Sequence, residues 1–138
     1  MNSTQLRKTA NELVAKGKGI LAADESAGTI QKRFDGIGVT ATEQLRRDYR
    51  EIIFRTPSLE DNISGVILYD ETLRQFSDDG TLLPKILSDK GIVPGIKSDS
   101  GLKDLAGCPG EKVTEGLDGL RDRLGEWYEL GARVWGRG

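Results

Sequence analysis

The chain has 138 residues, a formal net charge of −2 and no histidine. That length suits one domain with an ordinary core, the charge argues against a polyanionic partner such as DNA or RNA, and the lack of histidine removes Ser-His-Asp and Cys-His nucleophiles and histidine metal sites. The single cysteine, Cys108, can form no internal disulfide, and with no apolar signal core and no membrane-length run a cytoplasmic location is expected.

Leu6, Ala10, Leu13 and Val14 recur at helical spacing, so an amphipathic helix opens the chain until Gly17 and Gly19 stop it. Ile20 to Ala23 is short and continuously apolar, the pattern of a strand buried on both faces. Ser26 can cap a helix running to about Phe34. Thr40 and Glu43 have capping-box spacing before a second helix, whose apolar face is Leu45, Tyr49, Ile52 and Ile53. Strand two spans about Ile63 to Tyr69, and Asp78-Asp79-Gly80 reads as a turn. Leu82, Leu83, Ile86 and Leu87 then form a helical face that Gly91 ends. Strand three covers about Ile92 to Lys97, where Pro94 implies a bulge or a missing bond. Lys103 to Thr114 reads as a long link. Leu117, Leu120, Leu124 and Trp127 define the last helix, and Ala132 to Trp135 begin a fourth strand. Trp127 and Trp135 are expected in packing.

Strands alternating with helices give a parallel α/β sheet through right-handed crossovers. The pattern by itself leaves an open doubly wound sheet and part of a barrel as alternatives. Each full strand is followed by charge: Asp24 and Glu25, then Asp70 and Glu71, then Lys97 and Asp99. Such an arrangement marks the active-site face of parallel α/β proteins. Asp24 there either caps the following turn, or holds a substrate hydroxyl, or pairs with a neighbouring lysine ammonium and tunes it. Ser26 and Thr29 either cap the helix or meet a phosphate at its N-terminus. Arg33 lies one turn beyond Thr29 and offers a planar fork suited to a phosphate monoester. Lys97 is either a surface charge or a phosphate ligand inside the mouth. Glu25 reads as hydrogen-bonding support, and Lys32 as a solvated neighbour. Asp70, Glu71 and Asp99 match no compact metal loop.

Several blocks carry a family resemblance. LAADESAGTIQKRF, ISGVILYDETL, GIVPGIKSDSGL, LAGCPGEKVTEGLDGL and ELGAR, in that order, resemble class I (Schiff-base) fructose-bisphosphate aldolase. The resemblance covers about Thr9 to Arg133. It implies a (β/α)8 TIM barrel, of which residues 1–138 are the N-terminal portion of one domain, with about three complete strands and the start of a fourth. It implies that Asp24 belongs to the catalytic set, and that Ser26, Thr29, Arg33 and Lys97 bind substrate phosphate. It further implies a phosphorylated sugar as substrate, chemistry without metal or cofactor, no nucleic-acid or membrane partner, and homo-oligomers, namely homotetramers.

The resemblance also has a departure. The family continues its fourth strand with a pattern like GARFAKWR, whereas this chain reads Gly131-Ala132-Arg133-Val134-Trp135-Gly136-Arg137-Gly138. Ungapped, Gly136 takes the lysine's place and Gly138 the arginine's. The strand-five glutamate, the strand-six Schiff-base lysine and the tail tyrosine implied by the family have no counterpart in residues 1–138. The expectation is therefore an aldolase fragment that is inactive alone and self-associating. The alternatives are a non-catalytic phosphosugar-binding or self-associating remnant, and an unstable product without function.

Overall fold

The computed structural model describes residues 3–136. Its main sheet is parallel and has four strands: β1 (Gly19–Ala23), β2 (Ile63–Leu68), β3 (Val93–Lys97) and β6 (Val134–Gly136). They lie side by side in chain order, β1-β2-β3-β6. A doubly wound sheet reverses at a switch point, whereas a barrel adds each strand beside the last. The order therefore selects the barrel arrangement. Helix α1 (Ser3–Leu13) precedes β1. The first crossover holds α2 (Ala27–Asp35), α3 (Glu43–Phe54) and the short α4 (Leu59–Asn62). The second holds α5 (Asp70–Arg74) and α6 (Leu83–Asp89), and α7 (Leu120–Glu129) leads into β6.

Ala23, Leu68, Ile96 and Trp135 share one row of the sheet, and Ala22, Ile67, Gly95 and Val134 share the row before it. Successive residues face opposite sides of a strand. Ala23, Val66, Leu68 and Ile96 pack with Phe54, Leu73, Leu83, Leu87 and Trp127 into one buried core. Ile20 and Ala22, on the other face, are exposed, Ile20 at 51%. The expectation that β1 is buried on both faces is thus corrected. Among the described residues β1 pairs along one side only, with β2, and its second face is uncovered.

Several local expectations are also revised. Helix α3 is capped by Thr42, whose Oγ1 accepts from Leu45 N at 3.2 Å, and not by Thr40. Thr40 instead gives its carbonyl to Thr42 N at 2.9 Å, a turn that moves the cap two residues on. The inward stripe of α3 is Arg47, Arg50 and Phe54, while Ile52 is 73% exposed and Leu45 is also at the surface. Strand two stops at Leu68, and Tyr69 becomes the N-cap of α5. Pro94 sits in an unshifted register opposite Val66, so of the two expectations there the bulge does not form, while its ring nitrogen has no hydrogen to donate; its carbonyl accepts from Arg133 N at 2.9 Å. The 103–114 link is largely an antiparallel hairpin of β4 (Gly101–Asp104) and β5 (Lys112–Glu115), closed by a Lys112–Asp104 ion pair. Leu117 lies outside α7 and is exposed, because Gly119, at φ 65°, starts that helix later. Trp127 is buried as expected, but Trp135 is 61% exposed.

Candidate functional site

The C-terminal ends of β1 and β3 bring together two sequence-predicted groups that are far apart in the chain. Asp24 follows β1 and Lys97 ends β3, with β2 lying between those two strands. Lys97 Nζ lies 3.9 Å from Asp24 Oδ2 and 2.7 Å from Asp99 Oδ2, so one ammonium sits between two carboxylates. Asp24 is only 8% exposed. Its Oδ2 accepts no hydrogen bond among the described residues, and a buried carboxylate oxygen retains lone pairs for a donor such as a substrate hydroxyl. Lys97 is already engaged, so a phosphate there would have to compete with Asp99.

The β1–α2 turn carries the remaining candidates. Ser26 is the N-cap of α2, and its Oγ accepts from Thr29 N at 3.3 Å. The two hydroxyls are 3.1 Å apart. Both the capping reading and the phosphate reading use this geometry, because a capped N-terminus also presents free amides. Arg33 stands in the last turn of α2, where its Nη1 lies 2.7 Å from Glu25 Oε1 and donates to Tyr49 Oη at 2.9 Å. Its side chain is half exposed, so the guanidinium is tethered yet reachable from solvent. The structure therefore brings Asp24 to Lys97 and Ser26 to Thr29, and holds Arg33 against Glu25.

Charged groups not singled out by sequence reasoning support this rim. Arg50 is fully buried, donating to Ala23 O at 3.0 Å, to Glu25 O at 2.7 Å and to Glu25 Oε2 at 3.2 Å. Burial pulls its guanidinium below the usual arginine range, against the upward pull of Glu25. Four residues earlier, Arg46 makes a forked contact with Glu71 at 2.9 and 2.6 Å. The 46/50 spacing on α3 was the available signal, but arginines on a helix ordinarily read as its solvent face.

Beyond β3, Arg123 of α7 donates to Gly116 O at 2.6 Å, Asp118 O at 2.7 Å and Ser98 O at 3.4 Å, tying the end of the hairpin to the end of β3. Gly116, at φ 143°, lies so close to this loop that a Cβ would sit 2.8 Å from Asp99 Cα. Tyr69, Asp70, Lys97, Ser98, Arg123 and Trp127 line a cleft of about 260 Å³ between these elements.

Gly136 is the row partner of Lys97 on β6. A side chain at position 136 would therefore project on the same face as Lys97, beside it. Position 136 is thus on the rim of the site, and glycine brings no amine there. The expected positions of Arg137 and Gly138 lie outside the described residues.

A family model described as fructose-bisphosphate aldolase class-I matches residues 5–135. The chain is 59% identical over 133 residues to a protein of Xylella fastidiosa named as a probable class 1 fructose-bisphosphate aldolase, covering 96% of this chain and 40% of that one. It is 51% identical over 129 residues to the cytosolic fructose-bisphosphate aldolase 7 of Arabidopsis thaliana, covering 94% and 36%. Among solved structures, fructose-bisphosphate aldolase of Plasmodium falciparum superposes with a TM-score of 0.91 at 47% identity, over 96% of this chain and 38% of that one. The chain thus spans about 40% of the length of the curated relatives it matches.

Proposed function

The chain belongs to the class-I fructose-bisphosphate aldolase family, and on that premise we propose that residues 1–138 form the first part of an aldolase barrel domain and supply one side of its substrate site. The reaction of the whole protein is the reversible cleavage of fructose 1,6-bisphosphate to dihydroxyacetone phosphate and glyceraldehyde 3-phosphate. The observation that carries this reading is the meeting of Asp24 and Lys97 across the end of β2, 3.9 Å apart and largely buried.

In that reaction a lysine amine forms an iminium with the ketone. The bond between C3 and C4 breaks, the iminium takes up the electron pair as an enamine, and the C4 hydroxyl gives up its proton to become the aldehyde. The resemblance assigns the amine to strand six, outside residues 1–138. Asp24 contributes a carboxylate at the sugar hydroxyls. Ser26, Thr29, Arg33 and Lys97 supply hydroxyl, amide and cationic groups for phosphate. Homo-oligomeric assembly of the complete protein and a cytoplasmic location belong to the same reading.

The test uses the purified 138-residue polypeptide with dihydroxyacetone phosphate and borohydride, and measures binding of fructose 1,6-bisphosphate against fructose. The expected result is no reduced covalent adduct, no turnover, and preference for the bisphosphate. A borohydride-trapped adduct with turnover would overturn the assignment of the amine to strand six. Equal binding of fructose and its bisphosphate would overturn the phosphate site.

A second reading, self-association of this polypeptide, is favoured by the uncovered face and single-sided pairing of β1, where Ile20 is exposed. Strand edges and open apolar faces recruit other chains. Sedimentation at low concentration giving a single monomeric species would refute it.

A further inference from the structure

Arg50 is an unusual residue to find at the centre of this molecule. A fully buried guanidinium carries a large desolvation cost unless its donors are met. Here Nε and Nη2 are directed at a short stretch of chain, while Nη1 meets no hydrogen-bond acceptor among the described residues. Arg50 Nε donates to the carbonyl of Ala23, and Nη2 to the carbonyl of Glu25. These are the carbonyls immediately before and after Asp24, so one planar fork grips the backbone on both sides of that residue. Nη2 also reaches the Glu25 carboxylate, whose other oxygen holds Arg33.

The grip lies where the chain leaves regular structure. Strand β1 ends at Ala23 and α2 starts at Ala27, so the turn between them lacks strand or helix pairing to set its direction. Strand β1 is itself paired on one side only among the described residues. A tether from α3 then holds the backbone around Asp24 just beyond the last β1–β2 pair, Ala23 opposite Leu68.

We propose that Arg50 is the positioning residue that aims Asp24 at Lys97, by holding the two carbonyls that flank Asp24. It touches neither substrate nor Lys97 and acts through the backbone. The proposal deepens the reading of the Asp24–Lys97 pair as part of a substrate site and rests on it for its meaning in catalysis. Its geometry can be tested without substrate. A lysine at position 50 keeps the charge but has a single nitrogen, which cannot reproduce the fork. A role resting on charge alone survives that change, whereas a role resting on the fork does not.

The experiment is zero-length carbodiimide coupling of carboxylates to amines in the 138-residue polypeptide, read by mass spectrometry after proteolysis. The reporter is the Asp24–Lys97 link, at 3.9 Å, and the control is the Glu60–Lys90 link, at 3.7 Å, which joins other parts of the fold. In Arg50→Lys the ratio of reporter to control is expected to fall about tenfold, the worth of one hydrogen bond to a charged group. An unchanged ratio overturns the proposal. Loss of both links in Arg50→Lys also overturns it, by making Arg50 a determinant of the whole fold. Arg50→Met is the second variant, and it should lower the ratio at least as far while the control link persists; a ratio above that of Arg50→Lys would contradict the fork. None of these outcomes depends on sugar binding or turnover, so failure of the proposed function is read separately by the borohydride and bisphosphate assays.

Discussion

Gly95 offers the sharpest stability test of the sheet arrangement. It sits in the middle of β3, opposite Ile67 on β2 and Val134 on β6. A Cβ at position 95 would lie 2.8 Å from Val134 Cγ1, 3.3 Å from Val134 O and 3.4 Å from Val66 O. A valine methyl cannot readily swing away, because branching at Cβ stiffens χ1, and the two carbonyls belong to paired strands. Gly95→Ala therefore forces β6 outward or strains its rotamer, an overpacking cost of about 1–3 kcal/mol. With a urea slope of about 1–3 kcal/mol per molar, the midpoint should fall by roughly 1 M. The matching assay is urea unfolding followed by far-ultraviolet circular dichroism for Gly95→Ala, Val134→Ala and the double variant. Removing the Val134 methyls relieves the closest contact, so the double variant should be more stable than the sum of the single changes by about 1 kcal/mol. Strict additivity, or a Gly95→Ala midpoint equal to the parent's, would refute the close approach of β3 and β6.

Three further outcomes follow from the rim and the α5–α7 contact. Arg33→Ala should weaken binding of fructose 1,6-bisphosphate about tenfold in calorimetry, the scale of a charge-assisted phosphate contact, whereas Lys32→Ala should change it little; equal losses would mean general charge attraction. Trp127→Phe keeps most of the buried ring but removes the bond from Nε1 to Asp70 Oδ1 at 2.6 Å, so denaturant unfolding should register a loss of about 1 kcal/mol. For pH, burial pushes the Asp70 carboxyl up, but bonds from Arg74 and Trp127 outweigh it and hold the group below its usual range, and Arg74 likewise holds Glu126 low. Carboxyls lowered in the fold contribute stability above their unfolded values, and that contribution disappears as pH falls through the folded ones. Stability should therefore decline as pH drops below about 4, and thermal melts of Arg74→Met should show a shallower decline over the same window; identical slopes would contradict the pairing.

Local chemistry made a good part of this protein legible from its sequence. Apolar runs at Ile63–Leu68 and Val93–Lys97, the Ser26 cap and the Gly91 helix end depend on neighbours within a few residues, so pattern alone locates them. The charged residues that follow each strand marked the rim for the same reason, and the ordered motif blocks carried the family. Tertiary structure decided what depends on partners distant in the chain. Strand order separates a barrel from an open sheet, and periodicity is the same for both. The inward stripe of α3 holds Arg47 and Arg50, which an apolar template assigns to solvent; they face inward where carbonyls and carboxylates of other elements meet several of their donors, Nε and Nη2 of Arg50 among them. The 101–115 hairpin was obscured by its Gly- and Pro-containing turn, since strand pairing is defined across the turn and not along it. Asp24 and Lys97 are 73 residues apart in sequence, and the parallel register of β1, β2 and β3 is what brings them within 3.9 Å.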